Sequence, residues 1–299
     1  MGVGGFAGQE TLDRVLAHPG LEVVALGSDS LQGQAPGSLD PRLSRNGHGP
    51  LPPFVSNDEA LAAGAELIFV CLDNEIEPPA DAVVVDLSGS HRIGFADWCY
   101  ALPELAPPTG RLIANPGCYA TAALLALGPI AGIVDPDSVV VDGKSGISGA
   151  GRALKDSSHA AAVLENVSPY KVGEHRHAPE IAQLLGFPVT FVPHVVPIRR
   201  GLVCTCYVNA GEDPRPLLEA AYADSHVVDV IESIPDVARL QNTDAAEVAA
   251  FQDRSTGRWI VICAIDNLGK GAAGQAVQNA NFALGLDETA GLRLSGVLV

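Results

Sequence analysis

Compact apolar runs alternate with helical patterns over the first 117 residues, and this rhythm constrains the fold more than any other feature. Leu21–Leu26, Glu66–Leu72, Ala82–Leu87 and Arg111–Asn115 are short runs rich in Val, Ile and Leu. Helical patterns at Gln9–His18 and Asn57–Gly64 separate some of them. Continuous apolar strands divided by helices predict a parallel sheet covered on both faces, hence an α/β fold. The stretch Gln32–Pro53, rich in Gly, Pro, Ser and Asn, reads as an ordered surface excursion. From Ser138 the texture changes. Strands at Thr190–Ile198, Leu202–Asn209 and Arg258–Asp266 are longer and partly alternating, with helices at Ala178–Leu185 and Pro214–Ala223. That pattern predicts a mixed or antiparallel second sheet, followed by a helical tail at Ala272–Leu286.

A chain of 299 residues with 47% hydrophobic and 18% charged residues has material for two domains. Its formal net charge of −17 repels phosphate backbones and anionic lipid heads, so no nucleic-acid or membrane partner is expected. Its longest apolar stretches fall well short of the ~20 residues that span a bilayer. The opening Met-Gly-Val-Gly-Gly-Phe has neither a basic nor an apolar signal region. Six scattered cysteines form no disulfide framework, which predicts a reduced, cytoplasmic chain.

Six segments can carry chemistry. The loop Gly2-Val3-Gly4-Gly5-Phe6-Ala7-Gly8 runs into a helix, and Gly2, Gly5 and Gly8 permit a tight turn and close approach to a pyrophosphate. A plain Gly-rich turn is the alternative, because no strand is seen ahead of Met1. After Leu21–Leu26 come Ser28, Asp29 and Ser30. Asp29 there would favour NAD by reading a ribose 2′-hydroxyl, whereas the serine hydroxyls suit a 2′-phosphate.

The sharpest segment is Asn115-Pro116-Gly117-Cys118-Tyr119-Ala120-Thr121, where a strand ends, turns and opens the helical run Ala120–Leu127. A thiol at a helix start has its thiolate favoured by the dipole and free N–H groups, as a nucleophile requires. Cys71, Cys99 and Cys263 read as structural, and Cys204 and Cys206, alternate on one strand, as core rather than metal ligands. His175, Arg176 and His177 precede a helix and offer a general base and an anion anchor, with Glu180 in its first turn. No carboxylate or thiol at ligand spacing accompanies the histidines, so no metal is expected. The loops Lys144–Arg152 and Asp266–Ala273 add glycines, hydroxyls and cations suited to phosphate, carboxylate or cofactor. Together these describe a thiol-dependent dehydrogenase acting on an acyl phosphate.

At these residues the chain closely resembles the N-acetyl-gamma-glutamyl-phosphate reductases, relatives of aspartate-semialdehyde dehydrogenase. The matching segments are 2–8, Asp-Leu-Ser-Gly-Ser-His-Arg at 86–92, Tyr-Ala-Leu-Pro-Glu at 100–104 and 115–121. They continue through Ser-Gly-Ile-Ser-Gly-Ala-Gly-Arg at 145–152, His-Arg-His-Ala-Pro-Glu-Ile at 175–181 and Asp-Asn-Leu-Gly-Lys-Gly-Ala-Ala at 266–273. The resemblance implies a Rossmann-like NADP-binding domain over residues 1–117, completed by 272–299. An α+β domain over 118–271, of the glyceraldehyde-phosphate-dehydrogenase type, would carry catalysis and a homodimer or homotetramer contact.

It implies NADPH-dependent reductive dephosphorylation of N-acetyl-glutamyl phosphate through a Cys118 thioester, as arginine biosynthesis requires. His177, with His175 behind it, would move protons, and Glu180 would orient them. Arg92 would bind the phosphoryl group and Asn115 the acyl end, with Ser145, Ser148, Arg152 and Arg176 in the substrate site. Gly2, Gly5, Phe6, Gly8, Ser28, Ser30, Asn267, Lys270 and Gly271 would meet the cofactor. Three features depart from the family pattern: the first strand ahead of the Gly-rich loop is missing, Asp29 lies in the ribose turn, and Ala101 stands where glycine is usual. Two alternatives are a carrier-bound aminoadipyl-phosphate reductase of lysine biosynthesis and a catalytically silent paralogue acting as a binding protein. The net charge suits the first poorly, since an acidic carrier calls for a basic partner surface.

Overall fold

The computed structural model describes residues 1–44, 50–153, 156 and 159–296, so 45–49 of the surface excursion and 297–299 of the tail lie outside it. The chain divides into two compact units. The first comprises Met1–Pro103, Pro107–Asn115 and Ala273–Leu292, and the second Glu104–Ala106, Pro116–Ala272 and the stretch from Arg293 onward.

In the first unit the Gly-rich loop leads into α1 (Phe6–Ala17). Strand β1 (Leu26–Gly27) pairs in parallel with β2 (Phe54–Val55). Helix α2 (Asn57–Leu61) follows, its start closed by a capping box in which Ser56 and Glu59 each satisfy the other's backbone N–H. Strands β3 (Leu67–Val70), β4 (Val83–Asp86), β5 (Cys99–Tyr100) and β6 (Leu112–Ala114) form a parallel sheet in the order β3-β4-β6-β5. Ile68, Val70, Val84 and Leu112 cluster on one face, while Val85, Ala101 and Ile113 meet Ala276 and Ala280 on the other. Burial on both faces explains why these strands read as unbroken apolar runs.

One expected strand is largely absent. Of Leu21–Leu26, only the last residue enters a ladder. Residues 20–26 and 65–69 face each other across a cavity of about 560 Å³ and do not pair. At the start of the described chain, Met1 and Val3 make three bonds. The Met1 amino group donates to the Phe69 carbonyl at 2.8 Å, the Met1 carbonyl accepts from Cys71 N–H at 3.2 Å, and Val3 N–H donates to the Gly27 carbonyl at 3.1 Å.

The second unit is a seven-stranded mixed sheet behind a buried helix, α3 (Cys118–Leu127). Its elements are β7 (Val140–Gly146), α4 (Ala160–Val163), β8 (Ser168–Pro169), α5 (His177–Leu185), β9 (Thr190–Val196) and β10 (Leu202–Val208). There follow α6 (Arg215–Tyr222), β11 (Val228–Val230), α7 (Val237–Leu240), β12 (Ala246–Gln252) and β13 (Trp259–Ile265). The spatial order is β11-β12-β13-β10-β7-β9-β8, with β11/β12 and β7/β9 parallel and the rest antiparallel. Residues 119–127 of α3 are all buried, and the helix packs on β10 and β13. Cys204, opposite Cys263, and Cys206 are wholly buried core residues. A π-helical turn, Gly269–Ala273, precedes α8 (Gly274–Leu284), which returns to the first unit against β4. Among the described residues no helix is long and apolar enough to cross a membrane, and no cluster of His, Cys, Asp and Glu could hold a metal ion.

Candidate active site

In the second unit Cys118 is the first residue of α3, with Gly117 as its N-cap in extended conformation. This is the helix end at which negative charge is favoured. Glu180, one turn into α5 and 1% exposed, accepts the Gly117 N–H on Oε1 at 2.6 Å. Its Oε2 lies 3.9 Å from His177 Nε2, the imidazole that opens α5. One buried carboxylate thus ties the turn carrying the thiol to the helix carrying the histidine.

The two histidines are not equivalent. His175 Nδ1 accepts the His177 backbone N–H at 3.2 Å, which leaves its proton on Nε2. Its ring sits edge-on among Tyr119, Tyr170, Phe191 and His177, and burial, followed by the charges of Arg176 and Lys171, pushes its pKa down to about 4. It therefore stays neutral near pH 7 and acts as an aromatic wall. Tyr119, a residue without an expected role, packs its ring on Gly143, where a Cβ would stand 2.6 Å away. Its hydroxyl donates to the His194 carbonyl at 2.8 Å, and burial raises its pKa.

The closing loop comes close to the thiol. A Cβ at Gly271 would lie 2.8 Å from Cys118 Cβ, so this position admits no side chain. Asn267 and Lys270 are placed otherwise than an open cofactor contact would need. The Asn267 amide accepts Gly201 N–H at 2.7 Å and donates to Ser148 Oγ at 2.9 Å. Lys270 is 1% exposed, and its ammonium donates to Glu104 at 2.5 Å in a buried ion pair. Asp266 organises this loop, accepting from Arg200, Leu268, Gly269 and Asn242. Ser145 is buried with its hydroxyl on the Gly146 carbonyl, whereas Arg152 and Arg176 are exposed.

In the first unit the glycines fit the close approach that a dinucleotide loop requires. Gly2 has φ +71°, and a Cβ there would stand 2.6 Å from the Cys71 carbonyl oxygen. A Cβ at Gly8 would collide with the Gly2 carbonyl oxygen, which accounts for the small residue where α1 crosses the loop. Gly5 has room, and Phe6 begins α1. A Cβ at Gly4 would lie 3.2 Å from Ser28 Oγ and 3.8 Å from Ser30 Oγ, so both hydroxyls border the loop. Asp29, read as a possible ribose acceptor, is bound instead to Asn57, whose backbone and side-chain N–H groups reach its two oxygens at 2.8 and 2.7 Å.

Arg92 is buried and donates to the Leu87 carbonyl at 2.8 Å. Its loop is held by Asp86, which accepts from Ser88 and lies 2.6 Å from His91 Nδ1; the His91 ring stacks on Trp98. Asn115 is wholly buried, its Oδ1 accepting from Asn279 of α8 at 3.0 Å. Asn279 also donates to the carbonyl of Ala101, the residue standing in place of glycine.

Comparison with known proteins places this arrangement. Residues 1–111 match the family described as semialdehyde dehydrogenase, NAD binding domain, and residues 118–267 match semialdehyde dehydrogenase, dimerisation domain. The class is therefore that of the semialdehyde dehydrogenases, with a nicotinamide-nucleotide domain and a dimerisation domain. The chain is 38% identical to the N-acetyl-gamma-glutamyl-phosphate reductases of Salinispora tropica and Salinispora arenicola, over 99% of its length and 97% of theirs. It belongs to the N-acetyl-gamma-glutamyl-phosphate reductase family. Aspartate semialdehyde dehydrogenase II of Vibrio cholerae, solved with ASA, shares the fold at a TM-score of 0.77 and 18% identity, covering 95% of this chain and 96% of that one.

Proposed function

We propose that this chain reduces N-acetyl-glutamyl 5-phosphate to N-acetyl-glutamate 5-semialdehyde with NADPH, releasing phosphate, in arginine biosynthesis. The observation that carries the reading is Glu180, which bridges the Gly117 turn ahead of Cys118 and the imidazole of His177. The names of the relatives support it. Cys118 as thiolate attacks the acyl carbon, the carbon–oxygen bond to phosphate breaks, and a thioester on Cys118 remains. Bound NADPH supplies the hydride that reduces the thioester. His177 donates a proton to the former carbonyl oxygen as the thiohemiacetal forms. It takes that proton back as the carbon–sulfur bond breaks, restoring the Cys118 thiolate and freeing the aldehyde.

His177 takes this role over His175 because the latter is held neutral in its aromatic surround. Glu180 fixes His177 and the Cys118 turn without itself reacting. Arg92 anchors the phosphoryl group, Asn115 the acyl end, and Ser145, Ser148, Arg152 and Arg176 complete the substrate site. Ser28 and Ser30 suit the 2′-phosphate of NADPH, and the Gly2–Gly8 loop the pyrophosphate. The first unit is the NADP-binding domain and the second the catalytic and oligomerising one, in a cytoplasmic homodimer or homotetramer.

The test runs the reaction backwards. Purified protein, N-acetyl-glutamate semialdehyde, phosphate and NADP are mixed, and absorbance of the reduced cofactor is followed. Phosphate-dependent reduction by the wild type and none by Cys118→Ala is the expected result. Reduction that persists in Cys118→Ala, or that proceeds equally without phosphate, overturns the mechanism.

A further inference from the structure

Asn57 stands at a junction that the mechanism does not use. It is 8% exposed and is the first residue of α2, immediately after β2 pairs with β1. Its side-chain Oδ1 accepts the Gly2 N–H at 3.0 Å, and its Nδ2 donates to Asp29 Oδ2 at 2.7 Å. Its backbone N–H donates to Asp29 Oδ1 at 2.8 Å. The orientation of this amide follows from chemistry, since an N–H can only donate and a carboxylate can only accept. One side chain therefore couples the turn of the Gly-rich loop to the acidic residue after β1.

Position 29 lies where an acidic residue selects the unphosphorylated ribose by accepting from its 2′-hydroxyl. Here each carboxylate oxygen carries a short bond from Asn57 instead. These bonds, the backbone one foremost, hold Asp29 below the usual carboxylate range, so its charge persists and stays directed at α2. The groups bordering the Gly-rich loop are then Ser28 and Ser30, whose hydroxyls lie 3.4 Å apart. Hydroxyls can donate to a phosphate, and a carboxylate turned toward α2 repels that phosphate less than one turned into the loop would.

We infer that Asn57 is a specificity-positioning residue: by binding Asp29 to the start of α2, it leaves the Ser28 and Ser30 hydroxyls to select the 2′-phosphorylated cofactor. The inference rests on the cofactor reading proposed above and deepens it.

The experiment is an equilibrium titration of NADPH and of NADH into wild type and four variants, followed by cofactor fluorescence, with a melting curve for each protein. Wild type should bind NADPH more tightly. Asn57→Asp sets a second carboxylate against Asp29, and Asn57→Leu removes both polar contacts of the amide. Each should lower the NADPH:NADH affinity ratio about tenfold, the size of one charge-assisted hydrogen bond lost. The exchange Asn57→Asp with Asp29→Asn re-forms the pair with the charge moved to position 57, and should restore the ratio to within about threefold. Asp29→Ala, which needs no new packing, should leave NADH affinity unchanged. An unchanged ratio in folded Asn57→Asp and Asn57→Leu overturns the inference, as does selective loss of NADH binding in Asp29→Ala. A wild type that binds neither nucleotide overturns the cofactor-loop reading itself, and is told apart because no ratio then exists.

Discussion

The two units keep their sheets together by different means. In the second, β10 and β12 each pair with β13 over seven residues, and β7 pairs with β9 over seven. In the first, the longest pairing among the described residues is four, between β3 and β4, and the β1–β2 pair has two. A cavity of about 560 Å³ is lined by residues 20–26 and 65–69 of this unit. Cys118 opens a helix packed on β10 and β13, whereas the Gly-rich loop borders the cavity, which Val3 and Gly8 help to line. On the proposed function, chemistry that needs sub-ångström placement is mounted on the continuous framework, and the cofactor loop on the interrupted one. Damage in the second unit should therefore show as lost turnover in a folded protein, and damage in the first as lost stability and lost cofactor selection.

The largest expected effect breaks the chemistry alone. Cys118→Ser should lower turnover on the order of 10⁴-fold or more while the melting temperature stays near wild type, read by reverse-reaction rate and differential scanning calorimetry. His177→Asn should follow with a loss of ~10²–10⁴-fold in kcat. The same loss in His175→Asn, with His177→Asn near normal, would reverse the assignment of the two rings. Gly271→Ala sharpens the comparison, because the added methyl group would press on Cys118 Cβ and the Asp266 carbonyl. A destabilisation of about 1–3 kcal/mol by chemical denaturation, with a fall in kcat, is the expected outcome.

The first unit should answer to stability instead. Fusing five or six consecutive Val, Ile or Leu residues directly ahead of Met1 should fill the cavity and raise the melting temperature, with no change in kcat. An unchanged or lower melting temperature would show that the cavity does not accept a strand. The smallest effect is in pH and belongs to the second unit. His175 has a folded pKa of about 4 against roughly 6.5 in an unfolded chain, so the unfolded state binds the proton first. Stability is then lost as pH falls from 6.5 toward 4, and His175→Phe should flatten that stretch of the acid-melting curve.

Much of this arrangement can be read from residues alone. Strands β9, β10 and β13 lie within a residue or two of the apolar runs Thr190–Ile198, Leu202–Asn209 and Arg258–Asp266, because burial on one or both faces writes a local pattern, whereas β7, β8, β11 and β12 were not read from the sequence. The Cys118 helix start was equally visible, set by Pro116 and Gly117. Leu21–Leu26 has strand composition but little ladder, since pairing depends on a neighbour that no local pattern reports. The same limit hid Asn57, Asn279 and Glu104. Their partners Gly2, Asn115 and Lys270 lie 55, 164 and 166 residues away, and polar side chains carry no periodicity that announces such contacts. Asp29 shows the converse, a residue in the right place for one role and engaged in another.

The return of α8 to the first unit has a consequence for how the molecule is made. The helix supplies Ala276 and Ala280 to one face of the parallel sheet and Asn279 to Asn115, yet roughly 160 residues of the second unit are synthesised before it. At about 5–20 residues per second, the ribosome takes roughly ten to thirty seconds to reach it after Asn115 has been added. During that interval Val85, Ala101 and Ile113 lack their cover, while the second unit already has nearly all of its chain. The half translated first therefore waits for a helix made after most of the other half, and a nascent chain stalled before Gly274 should engage a holding chaperone through that uncovered face.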